Sequence, residues 1–160
     1  MLVRNCRRLI VLDPYGSDGW PTGAIFCRTI NRVIFWAKRK RGYVIVIDEA
    51  GYALDRYRPE HEQLATRSAH RQHRCVFVCQ RYSQISPVVR FQCSEYWLFP
   101  QDYDSERQLA REAGLTLLPC WPPMTGGNRY AMHICDRSAK IFKLDLYSRL
   151  DGFRTSDKPA

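Results

Sequence analysis

Asp48 and Glu49 close an unbroken apolar run, Tyr43-Val44-Ile45-Val46-Ile47. Nucleotide sites typically hold magnesium through one or two carboxylates, with water and phosphate completing the shell. A second acid beside them can direct an attacking water. Gln80 ends the next apolar run, Arg74 to Cys79, and a side-chain amide there could contact a terminal phosphate or the water. Asp13 ends the first apolar run, ahead of Pro14-Tyr15-Gly16. It could support the same site or start a turn. Arg67 and Arg71 are spaced to share one helical face. Like charges so placed repel mildly, so an anion opposite them is one reading, and a role as arginine fingers at a subunit boundary follows from it. A solvated basic face is the other.

Such chemistry needs the side chains brought to one edge. A strand apolar on both faces must be buried on both faces, as central parallel strands are. Its last residues then emerge at the carboxyl edge, where open α/β sheets bind their ligands. The runs ending in Asp48-Glu49 and in Gln80 should therefore deliver these groups side by side.

Two further features bound the chemistry. No Gly-x-x-x-x-Gly-Lys-Ser/Thr occurs in the sequence, so the usual phosphate cradle is missing from it. The loop from Gly16 to Gly23 has glycines but no lysine. His70, His73, Cys75 and Cys79 are zinc-type ligands close in sequence, but their spacing fits no common finger. Cys75-Val-Phe-Val-Cys79 reads instead as a buried strand with cysteine as a small hydrophobe. The cysteine count of 7 is odd, which suits reduced thiols.

The 160 residues are 45% hydrophobic and carry a formal net charge of +9. That length and composition suit one folded domain. The charge favours polyanionic partners, nucleic acid first and an anionic membrane surface second. No apolar run approaches a membrane span, and no signal-type stretch follows the basic start. The expected location is the cytoplasm, with no stable membrane insertion.

Along the chain, Arg8 to Asp13 predicts a strand, and Thr29 to Arg41 a helix with Ile30, Val33, Ile34 and Ala37 on one face. Tyr43 to Ile47 predicts the central strand, Ala50 to Arg58 a loop, and Pro59 to about Arg71 a helix. Arg74 to Cys79 and Glu95 to Phe99 predict strands, Tyr82 to Pro87 a loop, and Asp102 to Ala113 a helix. Arg129 to Cys135 and Lys140 to Asp145 predict a hairpin around Asp136-Arg137-Ser138-Ala139. The fold class is α/β, a parallel sheet with a C-terminal antiparallel hairpin. Residues 1–150 read as a single domain, and 151–160 as a flexible tail.

This order of elements, with the segment Gln80-Arg81-Tyr82-Ser83-Gln84-Ile85-Ser86-Pro87-Val88-Val89-Arg90, resembles the FtsK/HerA superfamily of P-loop ATPases, which includes viral DNA-packaging ATPases and Zot-like phage proteins. The resemblance covers residues 8 to about 145. It implies a P-loop NTPase sheet, with Asp48 and Glu49 as Walker B acids and Gln80 as the polar sensor. Arg67 or Arg71 would be the trans-acting arginine. It further implies ATP and Mg2+ as ligands, with Asp48 holding the metal through water and Asp13 beside the nucleotide. The implied partner is double-stranded DNA, moved by a homo-oligomeric ring. The family's first strand and Walker A loop have no counterpart here, so the sheet should be incomplete on the N-terminal side. A fragment, a relic, or a second polypeptide supplying the loop would each explain this. The missing strand would lie between the Gln80 and Glu95 strands. The chain alone should then be poorly soluble, or the Glu95 strand should close directly onto the Gln80 strand.

Three functions compete. The first is a partial ATPase domain of a DNA-translocating or packaging motor, with negligible turnover alone. The second is a non-catalytic nucleic-acid-binding or phage assembly protein, for which Tyr15, Trp20, Tyr52, Tyr57 and Tyr82 could stack on bases or simply pack. The third, a metal-dependent hydrolase or nuclease using Asp48 and Glu49, lacks any supporting motif.

Overall fold

The computed structural model describes residues 8–16, 20–55, 58–116, 118–123 and 129–144. The chain, read from sequence as one domain over 1–150, packs as two compact units, one ending at Gln92 and the other beginning at Cys93. The predicted tail at 151–160 lies outside the described residues.

The first unit is built on four parallel strands: β1 (Leu9–Leu12), β2 (Ile25–Cys27), β3 (Val44–Ile47) and β4 (Arg74–Phe77). They lie in the order β2-β1-β3-β4. The register pairs Leu9 with Val44 and Val44 with Arg74, so β1, β3 and β4 start level with one another. Alternation of side chains then sorts the sheet into two faces. On one face, Ile10, Leu12, Ile45 and Ile47 pack with Val33 and Ala37 of helix α1 (Ile30–Arg39) and Leu64 of α3 (Pro59–Thr66). On the other, Leu9, Val11 and Val46 pack under Trp20 and Ala24. Burial on both faces is what the all-aliphatic sequence of β3 requires.

Helix α1 follows the predicted stripe. It stops where Lys40 leaves helical geometry and Gly42 takes φ +68°. The helix expected from Pro59 to Arg71 divides: α3 ends at Thr66, and a 3-10 turn, Ser68–Arg71, leads into β4.

Three short elements were not expected from the sequence. β2 is an edge strand of three residues, too short to show a period. Helix α2 (Ala50–Ala53) occupies the start of a predicted loop. Its Gly51 is needed for close approach, since a Cβ there would lie 2.6 Å from the Cβ of Gln84. Helix α4 (Pro87–Phe91) begins where a loop was predicted to end. Its signal was present: Ser86 caps it, accepting the Val89 N–H at 3.4 Å, and Pro87 opens it.

The second unit holds β5 (Glu95–Leu98), α5 (Tyr103–Glu112), β6 (Arg129–Cys135) and β7 (Ser138–Leu144). Asp102 caps α5, accepting the Ser105 N–H at 3.0 Å. The predicted four-residue hairpin turn contracts to Asp136-Arg137, with φ of 49° and 58°. Two positive-φ residues make the tight turn whose twist matches the flanking strands.

One expectation is corrected. β5 does not close onto β4. It pairs antiparallel with β6, in a separate three-stranded sheet ordered β5-β6-β7. The hairpin offers β5 a full antiparallel edge, and β4 remains the last strand of its sheet among the described residues. Its residues are exposed or half-buried, so the double burial implied by Cys-Val-Phe-Val-Cys is not realised.

Candidate functional site

At the carboxyl ends of β3 and β4 the chain makes two sharp departures. After Ile47, Asp48 turns out of the sheet and its Oδ1 accepts the N–H of Glu49 at 3.0 Å. Glu49 itself sits in the left-handed region, at φ 50° and ψ 41°. A non-glycine residue there is strained by about 1 kcal/mol or more, and surrounding bonds must hold it. They do: Ala50 donates to the Val78 carbonyl at 2.7 Å, and Tyr52 and Ala53 donate to the Glu49 carbonyl at 2.9 and 3.0 Å. β4 meanwhile ends at Phe77, short of the predicted Cys79, and the chain continues through Val78 and Cys79 to Gln80, whose Nε2 lies 3.3 and 3.4 Å from the two carboxylate oxygens of Glu49. The structure thus brings Glu49 and Gln80 together across neighbouring strands, with Asp48 adjacent.

Strain at Glu49 makes a stability prediction. Glu49→Gly removes the Cβ that opposes this conformation and should raise stability by up to ~1 kcal/mol. Chemical denaturation would detect this, and a loss of stability would show that Glu49 is unstrained.

Asp13 ends β1 on the same rim, but its carboxylate is committed to the loop. Oδ1 accepts the N–H groups of Tyr15 and Gly16 at 3.0 and 2.7 Å, and Oδ2 accepts Trp20 Nε1 at 2.9 Å. It is 3% exposed, and the geometry is that of an Asx turn. Beside it, Leu12, Tyr15, Thr29, Glu49 and Tyr52 line an open cleft of about 240 Å³. Tyr15 and Tyr52 are 77% and 73% exposed there, whereas Tyr82 is buried beneath the Arg90 guanidinium. Trp20 is tied to Asp13, and Tyr57 lies outside the described residues.

Arg67 and Arg71 are not part of this cluster. They flank the 3-10 turn before β4, and the Arg71 carbonyl accepts the Gly42 N–H at 3.0 Å, just before β3. They belong to the amino ends of the strands, about 20 Å from the acids at a rise of roughly 3.3 Å per residue.

Among the described residues no group of three or more His, Cys, Asp or Glu is placed to hold a metal ion. In the His70–Cys79 segment, His73 Nδ1 accepts the Tyr43 N–H at 3.1 Å and Nε2 lies 3.0 Å from the Ala37 carbonyl. The acceptor at Nδ1 and the carbonyl at Nε2 select the Nε2–H tautomer, a tie between α1 and β3. Cys75 Sγ lies 3.2 Å from the Leu64 carbonyl, to which its one S–H donates, and 3.2 Å from Ser68 Oγ, whose hydroxyl can donate to the sulfur. Burial pushes its thiol above the ordinary 9.0, against a smaller opposite pull from Ser68. The folded chain favours the neutral thiol. That contribution is therefore complete below the unfolded value of 9.0 and disappears as pH rises through the elevated folded one. Cys75→Ala should flatten part of the alkaline loss of stability. Identical pH profiles from denaturant melts would contradict this.

No protein-family profile matches the sequence, and no curated protein matches it. Solved structures do. The genome packaging NTPase B204 from Sulfolobus turreted icosahedral virus 2 in complex with sulfate matches at 17% identity and TM-score 0.59, over 87% of this chain and 82% of that one. Its complex with AMPPCP matches at 15% and 0.57, over 84% and 80%. The N-terminal domain of zonular occludens toxin from Neisseria meningitidis matches at 13% and 0.53, over 88% and 77%. The chain thus has an α/β, parallel-sheet fold of the P-loop NTPase-like kind seen in a viral genome-packaging NTPase.

Proposed function

We propose that this chain carries the acid-and-amide half of an ATP-hydrolysing site in a motor that moves or packages double-stranded DNA. The observation that supports it best is the Glu49–Gln80 pair at the carboxyl edge, beside Asp48. In this reading Glu49 orients the water that attacks the terminal phosphorus and receives its proton, as the bond to the ADP oxygen breaks. Gln80 holds the Glu49 carboxylate by its amide N–H groups. Asp48 would hold magnesium through water, which suits an ion that takes few protein ligands. A bound magnesium ion would neutralise charge on the phosphate oxygens. Asp13, committed to its loop, shapes the rim beside the nucleotide. Arg67 and Arg71, on the opposite rim, are out of reach of this chain's own acids, and any contact they make with a nucleotide would be with a neighbouring subunit's site, as a homo-oligomeric ring would allow. With no phosphate cradle in the sequence, turnover by this chain alone is expected to be negligible.

The absent cradle favours one second reading, a nucleic-acid-binding protein that keeps the fold without hydrolysis. DNA binding indifferent to ATP would distinguish it. No helix among the described residues is long and apolar enough to cross a membrane.

The test is paramagnetic broadening by Mn2+ with ATP, followed by NMR. The amides of Asp48, Glu49 and Gln80 should bleach first, and Asp48→Asn should remove the effect. Bleaching centred elsewhere, or unchanged in the variant, would eliminate the proposed metal role.

A further inference from the structure

Three chain segments meet at the amino rim of the parallel sheet, and all are basic. The register places Arg8, the residues before Val44 and the residues before Arg74 at one level. Arg41 Nε donates to Gln72 Oε1 at 3.2 Å, and a Cβ on Gly42 would lie 3.4 Å from an Arg8 guanidinium nitrogen. The rim therefore gathers the run at residues 38–41 with Arg8, Arg67 and Arg71. All are exposed except Lys40, which is half-buried with its ammonium 5.4 Å from the Trp36 ring centre. Among the described residues of this unit the acids lie elsewhere. Asp13, Asp48 and Glu49 follow the strands, Asp55 lies beyond α2 and pairs with Arg58 at 3.4 Å, and Glu60 and Glu62 open α3 at its far end.

The α1 macrodipole accounts for only part of this charge. It amounts to about half a negative charge at the helix end, and Arg8, Arg67 and Arg71 come from other segments. A concentration of one sign repels itself, and an anionic partner relieves the repulsion. From this we infer that the amino rim is a docking surface for the phosphate backbone of double-stranded DNA. This deepens the motor reading above and rests on it for the choice of partner. Arginine dominates the rim, and its planar fork matches phosphate oxygens in pairs. At strand spacings of about 4.8 Å, the segments entering β1 and β4 stand roughly 10 Å apart, similar to the width of a DNA groove at ~12 Å. An anionic membrane fits less well. Surface-bound elements insert apolar side chains, and among the described residues none of the exposed large hydrophobic ones falls on this rim.

The test uses the whole chain, a labelled duplex of about 30 base pairs and no nucleotide, with anisotropy read between ~50 and ~200 mM salt. Arg41→Gln/Arg67→Gln/Arg71→Gln should weaken binding about 10- to 100-fold and make the salt slope shallower by roughly 2 to 3. Arg107→Gln/Arg111→Gln/Lys143→Gln, with the same charge change on exposed positions of the other unit, should cost no more than ~3-fold. Arg71→Gln alone should lower the slope by about 1, so the decision does not depend on the triple variant folding. Equal losses in both triples, or an Arg71→Gln slope equal to wild type, would overturn the proposal. So would a rim-dependent loss of binding to phosphatidylserine vesicles with DNA binding unaffected. The Mn2+ experiment reads the opposite rim, so either proposal can fail while the other stands.

Discussion

If Glu49 is the base proposed above, Glu49→Gln should lower single-turnover ATP hydrolysis by about 10²- to 10⁴-fold in any assembly where a phosphate-binding loop completes the site. ATP affinity should stay within about 3-fold, because the glutamine keeps the shape and gives up only the proton-accepting charge. The expected size of the effect rests on the geometry. Glu49 is held in a left-handed conformation by bonds through Asp48, Val78 and its own carbonyl, so its carboxylate is aimed before any ligand arrives. Gln80→Ala removes an orienting contact but leaves the base, and should cost less, about 10-fold on the scale of positioning effects. Equal turnover in Glu49→Gln and wild type would show that the acid does not act on the water.

The second large effect is on stability, and it separates the centre of the sheet from its edge. Ile47 is 0% exposed on β3, packed between the sheet and its covering helices. Ile47→Ala should cost about 2–5 kcal/mol, the transfer free energy plus the cavity left behind. Val76 lies on β4 on the other face of the sheet, paired in register with Val46, and it is only half-buried. Val76→Ala should cost less than about 1.5 kcal/mol. Urea melts of the two variants give the comparison directly. Equal losses would mean that β4 is covered in solution by something that shields it as fully as β3.

That comparison marks how far local sequence reading carries. The apolar strings of β1, β3 and β4, though not the half-burial of β4, were legible because each is a run of consecutive residues. So were the α1 stripe and the Asp102 cap, which depend on neighbours within one or two turns. Ser86-Pro87 was an equally local helix signal, and α4 could have been read from it. β2 and α2 were not legible, since three or four residues show no period, and Gly51 has meaning only against Gln84, far along the chain. Placing Gln80 beside Glu49 followed from sequence only through the assumption that two apolar runs are adjacent parallel strands.

The sequence by itself determined which side chains terminate the core strands: Asp13, Asp48 with Glu49, and the amide of Gln80. It also determined that basic residues precede those strands, since order along the chain is sufficient for both. Only the tertiary structure decided what those groups could do. Pairing in register joined Glu49 to Gln80, turned Asp13 inward to its own loop, and sent Arg67 and Arg71 to the opposite rim. The same pairing left β4 at an edge and gave β5 to another sheet. Strand partnership is a contest between distant segments, settled by hydrogen-bonded edges and shared burial, and no stretch of neighbouring residues encodes its outcome.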